Sequence, residues 1–343
     1  MRARELPIVL DGTAGPYNAI TDVPGVEVGY VTLTEGAART GVTAILPRGR
    51  DGVAVPCAAG IHALNGNGEM TGSHWIEETG ALTLPVMITN THAVGTVHRG
   101  VIEWAAPRVP SPWLLPVVAE TWDGYLNDIN APHVRAEHAA QAISSATGGP
   151  VAEGNVGGGT GMNCYSFKGG SGTSSRLVSH AGDTYTVGAF VQANFGSRRE
   201  LTVGGVRVGE HLLDDDPLGA WHVPPGSGSV IVVLATDAPL LPGQCKALAR
   251  RVPLGLARTG TTGSHFSGDV FLAFSTADTG EPSDDYQQLR FVPWGRMDPF
   301  FDAVVRSVEE AVLNALLAAR EMTGRDGHRS PALPVDRLLD LLA

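Results

Sequence analysis

Cysteine is scarce in this 343-residue chain: Cys57, Cys164 and Cys245 are scattered and odd in number. No CxxC pair occurs, so neither a disulfide framework nor a structural zinc site is expected. Long apolar runs are missing too, and none reaches the length of a membrane span. The opening MRARELPIVLDGTAGP has two arginines but no apolar stretch before Asp11 and Gly12, so no signal peptide is expected. Positive charge is outweighed, with 24 Lys and Arg against 35 Asp and Glu and a net charge of −11. That sign argues against nucleic acid or anionic membrane as partners, since each needs a basic face. It agrees with cationic substrates such as peptides with a free amino terminus. A reducing cytoplasm is the expected compartment.

Cofactor motifs are lacking as well. His133, Glu137 and His138 match neither H-E-x-x-H nor H-x-x-E-H, and the segment APHVRAEHAAQAISSA reads as a helix with a solvated face. The glycine run from Glu153 to Gly161 has no strand before it and no Lys-Ser/Thr after it. A dinucleotide or phosphate loop is thereby excluded. The next cluster, Lys168 to Thr173, lacks the G-x-S-x-G order of a nucleophile elbow. Both are read as backbone passing close to another strand or to a ligand. No metal and no organic cofactor is expected.

What the chain has is 43% hydrophobic residues, 17% charged residues and 44 glycines, the makeup of a compact protein with many tight turns. Short strands are expected at 26–30, 41–47, 84–91, 117–121, 184–192 and 229–235, with a hairpin-like turn over 201–208. LNGNGEMTG at 64–72 reads as a loop carrying Asn65, Asn67 and Glu69, and Glu120, Thr121 and Asp123 close a buried strand. Residues 241–252 form a short amphipathic helix. Asp298-Pro299 open a long one with a single apolar stripe. On that helix Ser307 and Glu310, three apart, face together, whereas Glu309 points elsewhere. Many short strands and few long helices, without steady βαβ alternation, indicate one α+β sandwich spanning 1–343.

The stretch that organises the rest is TGTTGSHFSGDVFLAFST, from Thr259 to Thr276. Its first half is a flexible loop, and its second half is an apolar run typical of a strand buried on both faces. Ser267, followed by Gly268 and Asp269, sits at the junction. A serine brought by a loop to the start of a core strand is placed to act as a nucleophile. It is also placed to become a new N-terminus if the chain cuts itself.

The blocks PxNAITDVPGVEVGY, GVTAILPRG, LNGNGEMTG, EGNVGGGTGM, FVQANFG, SGDVFLAFSTA and VEEAVLNAL, in this order from Pro16 onward, resemble the DmpA-like aminopeptidases. These are the L-aminopeptidase/D-esterase enzymes together with the β-peptidyl aminopeptidases. The resemblance implies an αββα sandwich like that of N-terminal nucleophile hydrolases, and self-cleavage between Phe266 and Ser267 into 1–266 and 267–343. Relatives commonly have glycine or asparagine where this chain has Phe266; Ser264, preceded by Gly263, is the fallback position. Ser267 would then be the nucleophile. The family's Ser-x-Glu pair falls on Ser307 and Glu309, against the helix geometry that favours Glu310. Asn194, Tyr165 and the Thr236-Asp237 turn are the candidates for holding an oxyanion, although an ionised Asp237 has no proton to donate. Glu153 is the carboxylate that would grip the substrate's amino terminus.

The implied activity is removal of N-terminal residues from short peptides, amides and esters, without metal or cofactor, by a homo-oligomer of processed chains. Two rivals remain: an acyltransferase of the ornithine acetyltransferase type, and an unprocessed relative that only binds a ligand.

Overall fold

The computed structural model describes residues 1–111, 113–220, 227–277 and 288–343. Its strands, in chain order, are β1 (Glu27–Leu33), β2 (Thr40–Leu46), β3 (Cys57–Gly66), β4 (Ala81–Leu82), β5 (Val86–Asn90), β6 (Val117–Thr121) and β7 (Asn163–Cys164). They continue as β8 (Phe167–Lys168), β9 (Gly170–His180), β10 (Asp183–Asn194), β11 (Gly228–Thr236), β12 (Ser267–Ser275), β13 (Met322–Thr323) and β14 (Arg329–Ser330). The helices are α1 (Ser73–Thr79), α2 (Val94–Ala105), α3 (Ala136–Ser144), α4 (Pro242–Ala249), α5 (Val252–Arg258), α6 (Asp298–Ala318) and α7 (Val335–Leu342).

Two sheets carry the fold, one of four strands in the order β1-β2-β5-β6 and one of six in the order β4-β3-β12-β11-β10-β9. Side-chain parity along the strands explains why they stack. In β12, Val270, Leu272 and Phe274 enter the core between the sheets, while Phe271 and Ala273 enter the core beneath α6. β11 divides in the same way, with Ile231 and Val233 on the inner face and Val230, Val232 and Leu234 on the outer. On β2, Ile45 points inward and Val42, Ala44 and Leu46 pack against α2 and α3. A strand apolar on both faces needs cover on both sides, and the result is the four-layer αββα order.

The long helix lies close on its sheet because of one glycine. A Cβ at Gly172 of β9 would stand 2.0 Å from the Ala311 carbonyl of α6, so no larger residue fits there. The Glu153–Gly161 run passes close to strands: the Gly157 and Gly158 N–H groups donate to Thr32 and Thr43 at 2.9 and 3.0 Å.

Three local expectations change. The helix expected over 241–252 ends at Ala249, and a second helix, α5, starts afresh at Val252 with a proline in its first turn. Residues 201–208 make a turn at Gly204 and Gly205, both at positive φ, closed by a single Val203–Val206 bridge rather than by strands. LNGNGEMTG is strand as far as Gly66 and loop only beyond it.

Candidate active site

β11 and β12 run parallel with Gly228 level with Ser267, so both start at the same end of the sandwich. β3 runs antiparallel on the other side and brings Asn65 opposite Asp269. One extra β3 residue, Leu64, stands between that pair and the Val270–Ala63 pair, a bulge of the kind that re-aims side chains. The Asn67-Gly68 turn then folds over β12. A Cβ at Gly268 would lie 2.2 Å from the Asn67 carbonyl, so the glycine of S-G-D is required by this approach.

Ser267 is buried, and its Oγ donates to Asp269 Oδ1 at 2.6 Å. Asn65 Nδ2 donates to the other Asp269 oxygen at 3.0 Å and to the Ser264 carbonyl at 2.9 Å. Burial raises the pKa of Asp269, opposed by the hydrogen bonds from Ser267 and Asn65. A carboxylate held in this way accepts a proton more readily than one in water. The carbonyl oxygen of Phe266 accepts from Asn67 Nδ2 at 3.0 Å and faces the Gly228 N–H at 3.5 Å. Donors aimed at one carbonyl oxygen stabilise negative charge that develops there. By contrast, the Gly263 carbonyl before Ser264 has no donor among the described residues.

Phe266 forms part of the wall of a cavity of about 960 Å³, together with Asn67, Glu120, Trp122, Asn194 and Arg199. Ser267 lies behind it. Glu120 is buried at the end of β6 and accepts from the Glu69 N–H at 2.9 Å and from the Thr91 hydroxyl. Burial raises its pKa, and those two hydrogen bonds lower it.

Of the residues singled out from the sequence, Phe266, Ser267 and Asn194 meet at this end. Asn194 is fixed by Nδ2 donating to the Trp122 carbonyl at 3.0 Å and Oδ1 accepting from the Asn163 N–H at 2.8 Å. Tyr165 lies behind the wall, its ring against Gly196. Its hydroxyl bonds Thr259 Oγ1 at 2.7 Å and accepts from the Thr261 N–H at 3.2 Å, which anchors the root of the loop leading to Ser267.

The remaining four stand elsewhere. Asp237 follows Thr236, which is level with Ser275, and so lies at the opposite end of β12 from Ser267. It accepts from the Thr186 N–H at 2.7 Å. Glu153 sits at the far edge of the six-stranded sheet, paired with Arg2 at 2.9 Å and accepting from the Thr173 N–H at 3.0 Å. The Ser307 carbonyl accepts from Ser174 Oγ at 2.7 Å. Ser174 is level with Ala189, Leu234 and Ala273 in turn, three strands from β12 and six residues along it from Ser267. Strand spacing and rise make that about 14 Å sideways and about 20 Å lengthwise, too far for Ser307 to touch Ser267. Glu309 pairs with Arg258 of α5, while Glu310 faces the sheet and pairs with Arg176 at 2.7 Å. Ser307 and Glu310 are both fully buried, and Glu310 is held by Arg176 rather than by the Ser307 hydroxyl.

Asn67, Asp269 and Gly228 were given no role from the sequence, and Glu120 only that of a polar residue closing a buried strand, as site walls and loop caps both do. Their signals were weak: two asparagines in a glycine-rich loop, the last letter of S-G-D, and polar residues closing a strand. Among the described residues no group of three His, Cys, Asp or Glu is placed to hold a metal ion, and no helix is long and apolar enough to cross a membrane. His138 is buried, with Nδ1 accepting from the Arg135 N–H at 3.1 Å. All three cysteines are buried and free.

Comparison with known proteins identifies the family. Residues 18–330 match the model of peptidase family S58. The β-peptidyl aminopeptidase BapA of Sphingosinicella microcystinivorans is 48% identical, over 99% of this chain and 91% of its own. Among solved structures, the L-aminopeptidase D-Ala-esterase/amidase of Ochrobactrum anthropi is described as a prototype of the serine aminopeptidases and a variant of the Ntn hydrolase fold. It is 47% identical with a TM-score of 0.94, covering 99% of this chain and 98% of that one. The β-aminopeptidase of a Burkholderia species is 46% identical, with a TM-score of 0.89 over 100% and 98%. The chain belongs to peptidase family S58 and is an aminopeptidase built on a variant of the Ntn hydrolase fold.

Proposed function

We propose that this chain cuts itself between Phe266 and Ser267, and that the freed Ser267 then removes N-terminal residues from short peptides, amides and esters. The observation that carries the reading is the grip on the Phe266 carbonyl by Asn67 and Gly228, with the Ser267 hydroxyl already bonded to Asp269. Ser267 Oγ attacks the Phe266 carbonyl carbon as its proton passes to Asp269. Negative charge collects on the oxygen held by Asn67 and Gly228. The C–N bond then breaks, the Ser267 nitrogen takes the proton, and an ester remains. Water hydrolyses that ester, leaving the Phe266 carboxylate, the Ser267 hydroxyl and a free α-amine.

In the mature protein the same hydroxyl attacks a substrate carbonyl, and the new α-amine serves as its base. Withdrawal of Phe266 from the cavity wall opens the way to Ser267. Glu120, rather than Glu153, is the carboxylate that takes the substrate's amino group, since it alone of the two lines the cavity. No catalytic part is proposed for Ser307, Glu309 or Asp237.

Denaturing mass spectrometry of the purified protein tests the first step. Two chains, the second beginning at Ser267, are expected, and Ser267→Ala should leave a single chain with activity lowered by about 10⁴-fold or more. Active protein containing only intact chain would refute the reading.

A further inference from the structure

The charged side chains around the cavity are Glu120, Arg198, Arg199, Glu200 and Asp216, and three of them are committed to the protein itself. Arg198 is buried, stacks over the Phe167 ring and donates to the carbonyls of Tyr165 and Leu212 at 3.0 and 2.9 Å. Asp216 stands 3.8 Å from Arg198 and accepts from the Gly219 N–H at 3.0 Å. Glu200 accepts from the Ser197 N–H at 2.8 Å with one oxygen and from Thr262 Oγ1 at 2.9 Å with the other.

Two groups remain. Glu120 accepts two hydrogen bonds, and a carboxylate has room for about four. Arg199 is exposed and has no ion pair or hydrogen bond among the described residues. Its five N–H donors form a planar fork that matches a carboxylate. The two lie in different parts of the wall. Glu120 is buried at the end of β6, beneath the Asn67-Gly68 turn. Arg199 is five residues past Asn194, on the turn that continues outward from β10, whose last residue is level with Ser229. A substrate with its amino group at Glu120 and its scissile carbonyl at Ser267 would extend its leaving part toward that turn.

We propose that Arg199 reads the free carboxyl terminus of the substrate, so that the cavity selects short zwitterionic peptides, dipeptides and tripeptides, over their amides and esters. This rests on the reading of Ser267 and Glu120 given above. The cavity, about 960 Å³, is of the size that encloses small ligands, and the net acidity of the surface would otherwise repel a carboxylate. A single exposed guanidinium is then the group that lets such a substrate bind.

The test compares kcat/KM for an unblocked dipeptide and for the same dipeptide amidated at its carboxyl terminus, with wild-type protein, Arg199→Gln and Arg199→Lys. Wild type should favour the free acid by roughly tenfold, the scale of a charge-assisted contact. Arg199→Gln should lose roughly that factor on the acid, chiefly through KM, and stay within about twofold on the amide. Arg199→Lys should recover part of the preference. Equal loss on both substrates, or no loss on the acid, overturns the proposal. If wild type releases no amino acid from either peptide, the aminopeptidase reading fails. The preference is then read from calorimetric binding of the two peptides, where equal affinity overturns the role of Arg199.

Discussion

At the start of β12 and in the middle of α6 the chain buries a serine beside carboxylates, and the two surroundings differ in how those carboxylates are spent. Among the described residues Asp269 has no ion pair; its side chain bonds the hydroxyl of Ser267 and the amide of Asn65, so its capacity to take a proton is kept. Glu309 and Glu310 are committed to arginines, Glu309 to Arg258 and Glu310 to Arg176 and Arg4. Ser307 Oγ has no hydrogen-bond partner among the described residues. One set stands next to a hydrogen-bonded carbonyl and a cavity, and the other on a buried helix packed against the sheet. Composition is nearly the same at both places. What separates the proposed reactive site from the pairings on α6 is unspent hydrogen-bonding capacity next to a cavity.

The largest effect that would sharpen this contrast, short of removing Ser267, is expected at Asp269. With Asp269→Asn the Ser267 hydroxyl keeps a neighbour but loses its proton acceptor, and self-cleavage should slow by about 10²–10³-fold. The pH dependence carries the sign. Asp269 must be ionised to act, and its pKa is raised by burial. The wild-type rate should therefore fall with decreasing pH at a value above the ~3.9 of a solvated aspartate. The asparagine variant, having no titrating group there, should lose this acid limb. Stopped time courses followed by mass spectrometry measure both, and an unshifted or persistent limb would assign the base elsewhere.

The sandwich was legible because its strands are apolar at consecutive positions. SVIVVLA and VFLAF can be buried only if both faces are covered, and their parity then sets the layers. The site was legible only in part, for a geometric reason. Asp237 and Asn194 both stand next to strand ends in the sequence, yet a strand has two ends. Only the register tells that Thr236 is level with Ser275 while Asn194 is level with Ser229. Asn67 was harder still. Its hydrogen bond to Phe266 spans 199 residues and depends on a turn settling over Gly268, which no local pattern reports. Glu310 was the reverse case: helical spacing alone placed it on the face of Ser307, and the ion pair with Arg176 lies there.

That ion pair gives the next effect in size. Both side chains are almost fully buried, at 2% and 0% exposure, so neutralising one strands the other. Glu310→Gln should lower the unfolding free energy by about 3 kcal/mol in urea titrations, because an unpaired buried guanidinium is costly. Self-cleavage at Ser267 should still go to completion. A variant that stays uncleaved while fully folded would show that α6 takes part in the chemistry, and the contrast between the two serines would break.

The smallest effect is expected at Ser307. Its hydroxyl is buried without a partner, so the folded state already bears the cost of removing it from water. Ser307→Ala removes that polar atom and leaves the Ser307 carbonyl free to keep its hydrogen bond from Ser174. Stability should stay level or rise by up to about 1 kcal/mol, with the same two chains in the mass spectrum and kcat within about twofold of wild type. A tenfold fall in kcat without loss of stability would mean that the helix moves toward Ser267 once the Phe266–Ser267 bond has opened. The distance read from strand register would then hold for the intact chain alone.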